Sequence, residues 1–252
     1  MRIEPQTVLI DGPVGPIEIL VEAPAEPRGI ALIAHPHPLF GGANSNKVAQ
    51  TLAKTVTLLG YVALRPNFRG VGQSAGVHDE GRGESEDLLA VLAWAKARYG
   101  APSSEPADAR SGAHSGAESG SHSGAPLEAQ LGPQLGPQLG QLPVVLCGFS
   151  FGAYVVARVA SRLVETGTPA LRLVLVGTAA GHVEGARKYD TAAVAADTIV
   201  IHGSADETVP LYNVLQWAEP MDLPVTVVAG ADHFFHRRLH VIRDIILRAW
   251  KE

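Results

Sequence analysis

The pattern Gly-x-Ser-x-Gly occurs twice in this 252-residue chain, around Ser150 at residues 148–152 and around Ser74 at residues 72–76. A serine hydroxyl is a weak nucleophile until an imidazole takes its proton and a carboxylate fixes the tautomer of that imidazole. Downstream of Ser150 the carboxylates that follow apolar runs are Asp206 and Asp232, with Asp190 and Asp222 less well placed, and the imidazoles close to the strand ends and the final helix are His202, His233, His236 and His240. Together such residues can carry out acyl transfer through a covalent serine intermediate.

Context separates the two serines. A nucleophilic serine of this pattern sits on a tight turn between a strand and a helix, which lifts its Oγ above the sheet and points helix N–H groups at developing negative charge. Val144-Val145-Leu146-Cys147 supplies an apolar strand before Ser150, and Ala153-Tyr154-Val155-Val156-Ala157 begins a helix after it. Ser74 instead follows Pro66-Asn67-Phe68-Arg69-Gly70-Val71 and precedes Val77-His78-Asp79-Glu80-Gly81, so it reads as a loop serine near a strand's carboxyl end. Chain order in this strand-turn-helix arrangement runs serine, acid, histidine. Asp206 leads among the acids because residues 198–203 form a strand running into its loop. His233 leads among the bases because it follows the last strand through Ala229-Gly230-Ala231-Asp232 and opens the final helix. His236 and His240 fall at i+3 and i+7 on that helix, while His202 precedes the acid and breaks the order.

An oxyanion needs N–H donors. Phe151, just after the nucleophile, offers one. The second should come from His35-Pro36-His37-Pro38-Leu39-Phe40-Gly41-Gly42, which follows the strand at residues 30–34. Prolines have no N–H, which leaves His37, Leu39 and Phe40, with His37 preferred because it follows the strand-end dipeptide.

The elements that must position these residues alternate. Residues 7–11 and 16–22 read as an antiparallel hairpin around Gly12-Pro13-Val14-Gly15. Strands follow at 30–34, 61–66, 144–147, 171–176, 198–201 and 225–228, and helices at 45–59, 84–98, 152–163 and 234–250. Strand-length apolar runs alternating with amphipathic helices predict an α/β chain with a mostly parallel sheet covered on both faces. Residues 101–142 break the pattern with Ser-Gly-Ala-His, Ser-Gly-Ala-Glu and repeated Leu-Gly-Pro-Gln, and read as a disordered insertion in a single domain. It enters at the amino edge of the sheet, opposite the predicted site.

The run His35-Pro36-His37-Pro38 with Gly41-Gly42, then residues 65–72, 148–152, 202–206 and 231–235, resembles the small bacterial α/β-hydrolases related to dienelactone hydrolases and serine peptidase-type hydrolases. The resemblance covers nearly the whole chain outside the insertion. It implies the α/β-hydrolase fold, a triad of Ser150, Asp206 and His233, and esterase-like activity. No cofactor is expected. Dienelactone hydrolases carry cysteine where this chain has Ser150, a departure that sets that particular reaction aside. The stretch at 177–197, where large lids of this fold are inserted, is short, so an open site for small soluble esters is expected. Thioester and amide hydrolysis share the same chemistry and stay open.

Composition bounds the alternatives. Hydrophobic residues make up 46%, charged residues 18%, and the net charge is −5, without the basic excess that nucleic-acid binding needs. Cys147 is the single cysteine, so no intrachain disulfide forms and a reducing, cytoplasmic setting is expected. No apolar stretch is long enough to span a bilayer, and neither membrane nor nucleic-acid partners are expected. Two rivals remain: a metal site using His35 and His37 with His202, His233 or Asp206, against which the adjacent prolines and the serine set argue, and a non-catalytic binding protein that keeps the fold.

Overall fold

The computed structural model describes residues 3–100, 142–183, 185 and 187–250. In chain order these form β1 (Gln6–Gly12), β2 (Gly15–Glu22), β3 (Gly29–Ala34), α1 (Lys47–Leu58), β4 (Tyr61–Pro66), α2 (Arg82–Tyr99), β5 (Val144–Phe149) and α3 (Phe151–Glu165). They continue with β6 (Arg172–Val176), β7 (Gly181–Val183), β8 (Arg187–Tyr189), β9 (Ile199–Gly203), α4 (Leu211–Ala218), β10 (Val225–Val228) and α5 (Leu239–Ala249).

Eight strands make one sheet in the order β1-β2-β4-β3-β5-β6-β9-β10. The hairpin β1–β2 and the β2–β4 pair are antiparallel, and every pairing from β4 to β10 is parallel. This is the α/β-hydrolase architecture. Strand side chains alternate between the two faces, as a period of two requires. Ile30, Leu32, Val144 and Leu146 face α2 and α3, whereas Ala31, Ile33, Val145, Cys147 and Phe149 face α1 and α5. Both faces are covered, which is why the central strands are continuously apolar. A single buried phenylalanine such as Phe151 or Phe235 contributes about 1.5–3 kcal/mol through this burial.

Site position follows from topology. The chain leaves β3 toward α1 on one face and leaves neighbouring β5 toward α3 on the other. In an open parallel sheet a crevice forms at the carboxyl ends of strands that diverge in this way. Ala34 is level with Gly148 in the β3–β5 register, and Phe149 with Val176 in the β5–β6 register. The residues that follow those strands, His35, Ser150 and Gly177, therefore gather at one edge.

Two expectations change. The last helix begins at Leu239 rather than near residue 234, because Phe235 and Arg237 take left-handed φ values of 53° and 62°. Phe235 plugs the core from a turn rather than from a helix face, and a helix-period reading does not distinguish the two. Asp232 stabilises the turn by accepting from the His236 amide at 3.0 Å, so His233 and His236 both lie before the helix. The stretch at 177–197 contains an unpredicted two-stranded ribbon, β7–β8, too short to give a clear alternation. The low-complexity segment lies outside the described residues except for Leu142, which packs against the core.

Candidate active site

Ser150 occupies the turn between β5 and α3 with φ 56° and ψ −120°, a strained conformation for a residue with a Cβ. The two glycines of its motif allow this turn to stand so close to the sheet. A Cβ on Gly148 would strike the backbone of Gly152 and Ala153, and one on Gly152 would strike the carbonyls of Ala34 and His35. The Ser150 amide is anchored to Val176 O at 2.9 Å.

Ser150 Oγ–H donates to His233 Nε2 at 2.9 Å, and His233 Nδ1–H donates to Asp206 Oδ2 at 2.7 Å. Ser150, Asp206 and His233 are all buried, at 8%, 7% and 5% exposure, so these contacts act with little competition from water. The other carboxylate oxygen of Asp206 accepts from the amides of Thr208 (3.0 Å) and Val209 (2.8 Å). Phe149 and Phe234 flank the imidazole at ring distances of 4.9 and 5.1 Å. The three residues, 83 and 27 positions apart in the two pairs, thus meet at one point.

The loop after β3 turns at Pro38–Phe40, a short 3-10 turn capped by His37. Leu39 N–H donates to His37 Nδ1 at 3.3 Å and Phe40 N–H to His37 O at 3.1 Å. Of the three candidate donors, Leu39 and Phe40 are thus engaged within the turn. Burial pushes the His37 imidazole down to about 4, helped by neighbouring His78 and Arg187, so the ring is neutral. A cavity of about 300 Å³ lies over these groups, with His37, Phe40, Asn46, Ser150, Arg187 and His233 in its wall.

The remaining sequence candidates serve the framework. Ser74 Oγ–H donates to Asn67 O at 2.8 Å and accepts from Glu18 N–H at 3.0 Å, tying its loop to β2. His35 Nδ1–H donates to Pro36 O (2.7 Å) and Nε2 accepts from Phe68 N–H (2.9 Å), which commits both nitrogens. His202 is fully buried, with Nε2–H donating to Val209 O at 3.0 Å and lying 3.4 Å from Asp206 Oδ2. Among the described residues no group of three or more His, Cys, Asp or Glu is disposed to hold a metal ion.

Sequence reading missed the supports of the β3 loop. Arg65 donates to Asn44 O and to Glu22 Oε1, both at 2.7 Å, and Asn44 N–H donates to Asn67 Oδ1 at 2.8 Å. All four side chains are buried. Arg187 was also missed, because nothing in a three-residue strand marks it as facing a site. His78 was missed as well; it stacks 4.6 Å from His37 and lies 2.8 Å from buried Glu84.

The fold is shared. The chain is 33% identical to an α/β serine hydrolase homologue from Coxiella burnetii, matching 98% of this chain and 97% of that one with a TM-score of 0.72. The chain belongs to the α/β serine hydrolases. An α/β serine hydrolase without lid from Xanthomonas campestris is 29% identical over 99% of this chain and 94% of its own, also with a TM-score of 0.72. The model of the thioesterase domain family matches residues 112–221. An uncharacterized protein of Rickettsia prowazekii is 44% identical over 88 residues, a match that spans 34% of this chain and 37% of that relative. As an α/β serine hydrolase the protein is a hydrolase by superfamily, and among its described residues no helix is long and apolar enough to cross a membrane.

Proposed function

We propose that this α/β serine hydrolase cleaves small soluble carboxylic esters through an acyl-enzyme on Ser150. The observation that carries this reading is the continuous relay from Asp206 to His233 to Ser150 at 2.7 and 2.9 Å, ending at the wall of a cavity of about 300 Å³. Asp206 holds the proton of His233 on Nδ1, which leaves Nε2 free to accept from Ser150. As Oγ attacks the ester carbonyl, its proton passes to Nε2 and negative charge develops on the carbonyl oxygen. The backbone N–H groups of Phe151 and His37 receive that charge. Collapse of the tetrahedral intermediate breaks the bond to the alcohol, which leaves with the proton from Nε2. Water then attacks the acyl-enzyme by the same route and releases the acid.

Size and cover support small substrates. The cavity sits at the low end of ligand-pocket volumes, and between β6 and β9 the short ribbon β7–β8 brings Arg187 to its wall. A lone, fully buried cysteine, Cys147, suits a reducing cytoplasm. No cofactor is required by this route.

Labelling with a fluorophosphonate probe, followed by turnover of 4-nitrophenyl acetate, an acyl thioester and an aminoacyl amide, tests the reading. Labelling is expected in the native chain and in Ser74→Ala and absent in Ser150→Ala, with the ester turned over fastest. Unlabelled native protein would remove the serine mechanism. A faster thioester would move the substrate class.

A further inference from the structure

The turn that carries His233 also carries Phe234 to the wall of the catalytic cavity, which both residues line with Ser150. Phe235 N–H donates to Asp232 O at 3.1 Å and His236 N–H to Asp232 Oδ1 at 3.0 Å, which closes the turn. The left-handed backbone at Phe235 sends that side chain into the core. Phe234 is thereby turned outward and is 45% exposed, whereas Phe235 is fully buried. One edge of the Phe234 ring is held by buried Phe149 at 5.8 Å and by the His233 imidazole at 5.1 Å, both edge-to-face. The ring is thus fixed in place with much of its apolar surface open beside the reactive groups. An aromatic ring left open at a cavity wall is surface that a ligand can cover. The exposed ring of Phe40, across the cavity on the loop of His37, differs in carrying the Arg187 guanidinium over it at 4.2 Å.

The chemistry fixes which half of an ester meets Phe234. The leaving alcohol takes its proton from His233 Nε2, so its oxygen must come within hydrogen-bond reach of that atom. Nε2 lies 2.9 Å from Ser150 Oγ, and the carbonyl oxygen of the same ester must face the N–H groups of the oxyanion site on the β3 loop and α3. The substituent on the alcohol oxygen therefore leaves along the His233 side of the cavity. Phe234, the next residue in the chain, supplies the open apolar surface on that side.

We propose that Phe234 is a specificity-determining residue that covers the alcohol half of the substrate, so that the preferred substrates are small esters of apolar alcohols. This rests on the serine esterase reading above. Bond making is unchanged: the ester bond breaks as before, the alcohol leaves with the proton from Nε2, and the ring acts by contact alone.

Two isosteric pairs of esters test it with the full chain near neutral pH, each rate being corrected for the ester's own hydroxide-catalysed hydrolysis. Butyl acetate and 2-methoxyethyl acetate differ by one methylene exchanged for oxygen in the alcohol. Ethyl pentanoate and ethyl 3-methoxypropanoate differ by the same exchange in the acyl group. The native enzyme is expected to prefer butyl acetate by about fourfold or more in kcat/KM, the worth of one buried methylene. Phe234→Ala should bring that preference below about twofold while shifting the preference within the acyl pair by less than twofold. Phe234→Leu, which keeps an apolar surface, should retain most of it. A native enzyme without preference for butyl acetate, or a preference unchanged in Phe234→Ala, would overturn the proposal. Equal changes in both pairs would also overturn it and assign Phe234 to support of His233. Ser150 labelling by a fluorophosphonate with turnover of all four esters but no alcohol preference would overturn it while the esterase reading stands. Absence of both labelling and turnover would overturn the two together.

Discussion

Asp206 Oδ2 lies 2.7 Å from His233 Nδ1 while Oδ1 of the same carboxylate is held by two backbone amides of its own loop. The carboxylate therefore cannot rotate away without losing three hydrogen bonds at once. His233 in turn can present only Nε2 to Ser150. Asp206→Asn keeps the shape but offers an N–H₂ group toward Nδ1, which favours the opposite tautomer and leaves Nε2 protonated. A loss in kcat on the order of 10³–10⁴ is expected for 4-nitrophenyl acetate, with little change in melting temperature. A loss below tenfold would show that Asp206 does not set the tautomer.

Much of this arrangement is legible in the sequence because each part has a local cause. The strand before Ser150 and the helix after it, the glycines at 148 and 152, and the order of Asp206 and His233 can all be read from residue type and spacing. Harder to read are side chains whose role depends on distant partners. Arg65 meets Glu22 across 43 positions, and Arg187 meets Phe40 only once the ribbon has folded over the sheet. Phe234 and Phe235 fit a helical period, but the left-handed backbone at Phe235 and Arg237 delays the start of α5 to Leu239. Ser74 shares the motif of Ser150 but hydrogen-bonds within the framework, and only the flanking elements tell them apart.

His37 allows the oxyanion role of its amide to be separated from its side chain. Its φ of −55° matches the value that a proline ring imposes, so His37→Pro removes the N–H without bending the loop. His37→Ala removes the imidazole and keeps the N–H. Relative to His37→Ala, His37→Pro is expected to lower kcat by about 10²–10³ with a smaller effect on KM. Similar kcat values for the two variants would move the donor elsewhere in the loop.

Acid should destabilise the fold through His35. Burial holds this imidazole down at about 4 against an ordinary value of 6.5, opposed in part by its bond to Pro36 and aided by His37. Its folded value is below its unfolded one, so between these limits the unfolded chain binds the extra proton. Its contribution is complete above pH 6.5, declines as the pH falls toward 4, and amounts to about 3 kcal/mol over that window. In urea titrations from pH 7.5 to 4, the native chain should lose stability more steeply than His35→Gln, which is less stable at pH 7.5 but lacks this titration. Parallel slopes would show that His35 does not drive the acid response.

Ser74→Ala gives a stability test of the second motif. Loss of its hydroxyl leaves the carbonyl of Asn67 and the amide of Glu18 without their partner, which should cost about 1–3 kcal/mol by urea unfolding. Activity against 4-nitrophenyl acetate below the midpoint of unfolding should stay within about twofold of native. A much larger fall in turnover in the folded variant would tie this loop to the site.

We propose that residues 101–141 are dispensable for catalysis, for a reason that lies in the two ends they join. α2 closes at Tyr99, where Gly100 N–H caps Lys96 O at 2.8 Å. The chain returns at Leu142 and Pro143, and Pro143 O accepts from Ile30 N–H at 2.9 Å, at the amino end of β3. Both junctions therefore complete the framework by themselves, and the second stands at the edge of the sheet opposite Ser150. Replacing residues 101–141 by a short Gly-Ser linker should preserve kcat/KM for 4-nitrophenyl acetate within about threefold, and should leave the urea midpoint unchanged or raised, since fewer residues between the two junctions cost less closure entropy. Leu142 must be kept because it packs against the core. A folded deletion protein that still reacts with a fluorophosphonate but loses more than tenfold in kcat/KM would mean that the segment reaches the substrate.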